Sequence, residues 1–350
     1  MRRNIICAVL CVVLTSFTIL AQRAPAPPDP NAAPASDVVI ASGNFSPIVT
    51  DLERSLSFYN DLLGNSAAAA IPAWSTDSAL LNFLGAPTSQ IRFAQVPIPG
   101  SPMRVEIVEF KDIARTPVVR RPQDPGAVRL ILTVRNLDTL VQHLKSQGVA
   151  VTSAGGAPVT LRSHDAGRGV IVQDPDGFYI QLVQPTILPD TNAPAASNVI
   201  GARFGLTIND TDQTMKIYRD LLGFQPEIGT AFDSDKASSD LFNTPNASIK
   251  RSIAKIPGSA VQVEFLEFKV ADRKTTDGRI QDPGSTRLQL RVKDADAAVK
   301  ALVAAGGKVI TTGGDGGPIL MNGLRVALVR EVNNLFLVIM AQAPRAGARQ

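Results

Sequence analysis

The sequence predicts an α+β fold built by tandem duplication, and three observations carry that expectation. Segments of the first half return in the second at an offset of 158 or 159 residues. Helices with one apolar stripe alternate with strands whose side chains alternate between apolar and polar. The stretch Phe45–Gly64, FSPIVTDLERSLSFYNDLLG, joins the two kinds of element: a short strand, a turn at Thr50–Asp51 and an amphipathic helix.

In that helix Leu52, Leu56, Tyr59 and Leu63 recur at helical spacing, so one face needs a sheet to cover it. Thr50 with Glu53 reads as a capping box at its start, and Gly64 suits a left-handed C-cap. The duplication then shows directly. Asp61–Gly64 (DLLG) returns as Asp220–Gly223, and Ile98–Ser101 (IPGS) as Ile256–Ser259. Glu109–Lys111 (EFK) returns as Glu267–Lys269, and Gln123–Gly126 (QDPG) as Gln281–Gly284.

Each copy is halved again. In the first, Arg129–Val134 reads as a strand and Leu137–Gly148 as a helix with Leu137, Leu140, Val141 and Leu144 on one face. Val149–Thr152, Gly169–Val172 and Phe178–Val183 read as strands, the last two joined by the turn Asp174–Gly177. The second copy repeats this with strand Arg287–Val292, helix Ala295–Gly306, strand Lys308–Thr312 and a hairpin turning at Asn333–Asn334 into Leu335–Met340.

The ends are simpler. Residues 1–21 carry Arg2 and Arg3 and then a mostly apolar run, the outline of a cleaved secretory signal; an uncleaved anchor is the rival. An exported, periplasmic or extracellular protein is therefore expected. Residues 22–37 are a Pro/Ala-rich tether and 188–197 a second linker. The halves occupy 38–187 and 198–343, with a tail at 344–350. Both cysteines, Cys7 and Cys11, lie in the leader, so a mature chain would have no disulfide, thiol nucleophile or thiolate metal site. Net charge is +4, and +2 without Arg2 and Arg3, which excludes a nucleic-acid footprint.

The strand–helix opening and the segment DPDGFYIQLVQP (Asp174–Pro185) resemble the vicinal oxygen chelate superfamily of glyoxalase I, extradiol dioxygenases and bleomycin resistance proteins. The resemblance implies two tandem domains. Each would hold two βαβββ modules, whose mixed sheets curl into cups with helices on the convex side. It also implies a divalent metal held by one residue from each of four strands, commonly two His and two Glu. Carried over by register from Asp51, Glu106, Asn136 and Gly177, those positions hold Asn44, Glu106, Arg129 and Gln181 in the first copy. In the second they hold Arg203, Glu264, Arg287 and Val338. Arginine has no lone pair to offer a cation, so neither cup is expected to hold a metal or other cofactor.

Glu106 and Glu264 would then need another partner. Each copy has an arginine at a facing position, and the expectation is a Glu106–Arg129 pair and a Glu264–Arg287 pair in place of the metal. His143 and His164 fall outside the ligand positions and read as surface residues, and Gly313–Gly317 reads as a loop. Trp74 and Tyr179 could line a cup, but large aromatics beside a sheet read first as core. Three functions follow: metal-independent binding of an unidentified small molecule, a lyase or dioxygenase with a non-standard site, or a structural protein with filled cups. The halves are also expected to pack as an internal pseudo-dimer.

Overall fold

The computed structural model describes residues 31–65, 70–162 and 166–344. The expected leader, the tether up to residue 30, His164 and the tail beyond residue 344 lie outside the described residues.

The described residues form fifteen strands in two curled mixed sheets. The first copy supplies β1 (Val39–Val49), α1 (Leu52–Leu63), α2 (Ser78–Phe83), β2 (Gln90–Pro97) and β3 (Arg104–Lys111). It continues with β4 (Val128–Val134), α3 (Leu137–Ser146), β5 (Val159–Leu161), β6 (Gly167–Gln173) and β7 (Tyr179–Pro185). The second supplies β8 (Val199–Ile208), α4 (Thr211–Met215), α5 (Lys236–Leu241), β9 (Ser248–Lys255) and β10 (Gln262–Lys269). It ends with β11 (Thr286–Val292), α6 (Ala295–Ala304), β12 (Lys308–Val309), β13 (Ile319–Met321), β14 (Leu324–Arg330) and β15 (Phe336–Gln342).

The four long strand-to-helix turns use the same device. Asp51, Asn136, Asp210 and Asp294 each keep extended backbone and accept a hydrogen bond from the N–H three residues on. The cap of α1 is thus Asp51, not Thr50. The Thr50 N–H instead donates to Asp176 Oδ1 at 2.8 Å, because the β6–β7 turn packs over the start of α1. Gly64 does take the left-handed conformation at the helix end, with φ 69°. Val149–Thr152 makes only one bridge, Val151 to Val172. Its first N–H is held by Leu144 O at the close of α3, so the segment leaves the helix too late to pair.

Sheet order is where the duplication is used. The first sheet runs β12-β14-β15-β11-β1-β3-β2 with β13 against β14, and the second runs β5-β6-β7-β4-β8-β10-β9. Each sheet therefore joins one module of each copy, through β1 antiparallel to β11 and β4 antiparallel to β8. One core fills the space between the convex faces and the helices, and Phe45 of β1 meets Phe204 of β8 edge-on with ring centroids 6.0 Å apart. The cup faces carry separate apolar clusters. Leu81 and Phe83 of α2 lie in the first, Leu241 of α5 and Phe242 in the second.

Candidate site: two cups with a buried ion pair each

Alternation along the strands decides what reaches the cups. Val105 and Ile107 of β3 enter the central core while Glu106 and Val108 face the other way; in β10, Val263 and Phe265 enter the core and Glu264 and Leu266 do not. The strand pairing then decides which positions converge. The first cup brings together Asn44, Glu106, Arg287 and Val338, and the second Arg129, Gln181, Arg203 and Glu264. The pairs expected within each copy do not form. Glu106 pairs with Arg287, and Glu264 with Arg129, because β1 takes β11 as neighbour and β4 takes β8.

In the first cup, Glu106 Oε2 accepts from Arg287 Nη2 at 2.8 Å, Ser46 Oγ at 2.9 Å and Gln289 Nε2 at 2.7 Å. Glu106 Oε1 accepts from Gln95 Nε2 at 3.1 Å, so the carboxylate is fully engaged. Gly43 makes room for this set, since a Cβ there would lie 2.5 Å from Cβ of Gln289. Asn44 takes part through its backbone, whose N–H lies 3.5 Å from Gln289 Oε1. Val338 supplies only apolar surface. Arg287 Nε and Nη1 are buried without a partner.

In the second cup, Arg129 is fully buried and its Nη2 donates to Glu264 Oε1 at 2.7 Å. Its guanidinium carbon stands 5.0 Å from the centroid of Phe242, which closes over it from the end of α5. Gly205 opposite Arg129 on β8 leaves the space that the guanidinium fills. Arg251 Nε lies 3.5 Å from Glu264 Oε2, and Arg203 adds its charge nearby. Burial alone would raise the Glu264 pKa, but Arg251, then Arg129 and Arg203, bring it down to about 2. Burial works against the charge on Arg129. Arginine starts so far above neutrality that the pair is ionised at physiological pH. Gln181 is fully buried, and neither its Nε2 nor its Oε1 has a partner.

Ser46, Gln95 and Gln289, and in the second cup Gly205, Arg251 and Phe242, escaped the sequence reading. Ser46 and Gln289 stand two residues beyond Asn44 and Arg287 on the same strand faces, and that spacing was the available signal. His143 is exposed and pairs with Asp61 at 2.8 Å, away from both cups. Tyr179 packs in the second cup's cluster and donates its hydroxyl to Arg120 O; Trp74 is not core but half-buried, with Arg92 and Lys111 against its ring. Among the described residues no group of three or more His, Cys, Asp or Glu is placed to hold a metal ion. The family's ligand positions do not suit one either, because the guanidiniums of Arg287 and Arg129 already occupy Glu106 and Glu264.

Comparison with known proteins places this geometry. The structure is similar to that of glyoxalase I from Zea mays, at 15% identity and a TM-score of 0.53, covering 87% of this chain and 92% of that one. It is similar at 14% identity, also with a TM-score of 0.53, to a Bacillus subtilis protein carrying a provisional dioxygenase name, covering 88% of this chain and 87% of that one. A search of curated proteins found no match. Family models described as Glyoxalase/Bleomycin resistance protein/Dioxygenase superfamily match residues 44–182 and, separately, 203–326. With two such matches in tandem and two cups assembled from them, the chain belongs to the glyoxalase/bleomycin resistance protein/dioxygenase, or vicinal oxygen chelate, superfamily.

Proposed function

We propose that this is an exported member of the superfamily that binds a small molecule in its sheet cups without a metal. The observation that carries the reading is the guanidinium at a metal-ligand position, bonded in each cup to the one glutamate that remains. A fixed cation there takes over the charge balance that a divalent ion would supply, and its hydrogen bonds point at oxygen-rich groups. A lyase or dioxygenase would need a Lewis acid or an acid–base pair, and nothing at these positions favours one. The test is elemental analysis with a thermal-shift screen of a small-molecule library on chelator-treated protein. Less than about one transition-metal ion per ten chains, with ligand-dependent stabilisation intact after chelation, supports the reading. Metal near one ion per cup, removable with loss of binding, contradicts it.

A structural role is the second reading, favoured by the apolar side chains of α2 and α5 packed on the cup faces. It predicts no stabilisation by any compound in the same screen. Export rests on the charged start and apolar run of residues 1–21 and on a remainder without thiols. Cell fractionation with N-terminal sequencing should find a chain beginning near Gln22 outside the cytoplasm. A cytoplasmic chain that keeps Met1 contradicts it.

A further inference from the structure

The two cups differ in how their amide side chains are used. Gln289 of β11 and Ile131 of β4 occupy matching places, each paired with the strand that carries the fourth ligand position: Gln289 opposite Val338, Ile131 opposite Gln181. The first cup thus has a glutamine on the central strand, Gln289, which like Gln95 donates to Glu106, at 2.7 Å. The second has its glutamine one strand further out, fully buried, with donor and acceptor both unpaired. A leucine there would bury the same volume without leaving polar atoms unsatisfied, so Gln181 is costly for the unliganded protein.

Its neighbours say what would satisfy it. Arg129 lies diagonally across the β4–β7 ladder from Gln181 on the same sheet face, and its Nε is also buried and unpaired. Arg203 and Arg251, both already engaged, stand in the same cup and are less buried than Arg129. Among the described residues, the charged groups acting on Glu264 here are Arg129, Arg203 and Arg251. The cup-facing side of the second sheet therefore holds, all buried, an unpaired guanidinium N–H, an unpaired amide N–H₂ and an amide oxygen that lacks a donor.

We infer that the cup of the second sheet takes a small carboxylate that also carries a hydroxyl or amide N–H. The carboxylate faces the Arg129 guanidinium, and the hydroxyl or amide pairs with both ends of Gln181. A simple carboxylate offers acceptors only and leaves Gln181 Oε1 unpaired, so it is a poorer fit. The inference rests on the metal-free binding reading above and adds the ligand class and the cup.

The experiment is calorimetry on chelator-treated full chain with malate and N-acetylglycine, against acetate and glycerol. Malate or N-acetylglycine should bind at least tenfold more tightly than acetate, and more weakly as salt rises. Gln181→Leu should lose that tenfold preference while melting at or above the temperature of the parent, a combination that a merely structural glutamine does not give. Gln181→Met serves if the leucine variant fails to fold. Failure of both carboxylates to bind at millimolar concentration overturns the inference, as does a Gln181→Leu protein that melts lower and binds unchanged. Glycerol binding as tightly as malate overturns the carboxylate assignment but leaves metal-free binding in the cup standing. Binding that needs added zinc or nickel overturns both.

Discussion

Arg129 from the first sequence copy and Glu264 from the second share a 2.7 Å ion pair with both side chains only 1% exposed. The mirrored pair, Arg287 with Glu106, spans the copies in the opposite direction at 2.8 Å. Neither cup belongs to one copy. The glutamate of each comes from one half of the chain and the arginine from the other, so duplication and site are interlocked.

That interlocking makes the halves dependent on each other. Residues 38–187 alone would expose the β1 edge that pairs with β11 and the β4 edge that pairs with β8, and would strip Arg129 of Glu264 and of the Phe242 ring over it. Each half expressed alone should aggregate or self-associate, and the two co-expressed should form a one-to-one complex. Size-exclusion chromatography with mass measurement checks this. A folded, monomeric half would contradict it.

Gly205 gives a local test of how tightly the guanidinium is seated. A Cβ on Gly205 would lie 2.8 Å from Nη2 and 3.0 Å from Cζ of Arg129, which the Glu264 bond prevents from swinging away. Gly205→Ala should destabilise by about 1–3 kcal/mol. In an Arg129→Ala background most of that cost should vanish, which chemical denaturation of the four proteins would show.

Two buried acids away from the cups set a pH dependence. Asp174 begins the β6–β7 turn, and burial raises its pKa to about 7 despite hydrogen bonds from Tyr59 Oη and the N–H groups of Phe178 and Asp176. Nearby Asp176 raises it further. Glu331 begins the matching turn of the other copy, where burial lifts it to about 7 against hydrogen bonds from Asn333 and the Leu335 N–H. Both bind a proton more tightly folded than unfolded. Their contribution is therefore complete below about pH 4 and is lost as pH rises towards 7, on the order of 3–4 kcal/mol each. Glu264, held low by its arginines, acts with the opposite sign at the acid end of this range. Stability measured by urea denaturation should decline between about pH 4 and pH 7, and Asp174→Asn with Glu331→Gln should flatten that slope. An unchanged slope in the double variant would contradict the assignment.

The sequence made the modules legible because each repeats a strand, an Asp or Asn turn and an amphipathic helix, and because short identical segments recur between the copies at a nearly constant offset. It also placed Glu106, Arg129, Gln181, Glu264 and Arg287 at positions that do face the cups. The partners were not legible. Arg129 and Arg287 hold equivalent places in the related strands VRLILTV and TRLQLRV, so local sequence fits either glutamate equally, and proximity along the chain favours the wrong one. Only the β1–β11 and β4–β8 pairings decide it, and these are long-range contacts without a local signal. The short helices α2 and α5 were hidden because six residues give too little periodicity to read, although Asp77 and Asp235 cap them. Gln181 was visible as a candidate, but its lack of partners is a property of packing alone.

The most direct test of this account is a pair of double-mutant cycles on Arg129. Arg129→Ala should destabilise by about 3–5 kcal/mol, because Glu264 is left buried and uncompensated. Combining it with Glu264→Gln should recover much of that loss, with a coupling of about 1–3 kcal/mol. Combining it with Glu106→Gln should be additive to within about 0.5 kcal/mol, since those two residues belong to different cups. Coupling with Glu106 and none with Glu264 would contradict the account.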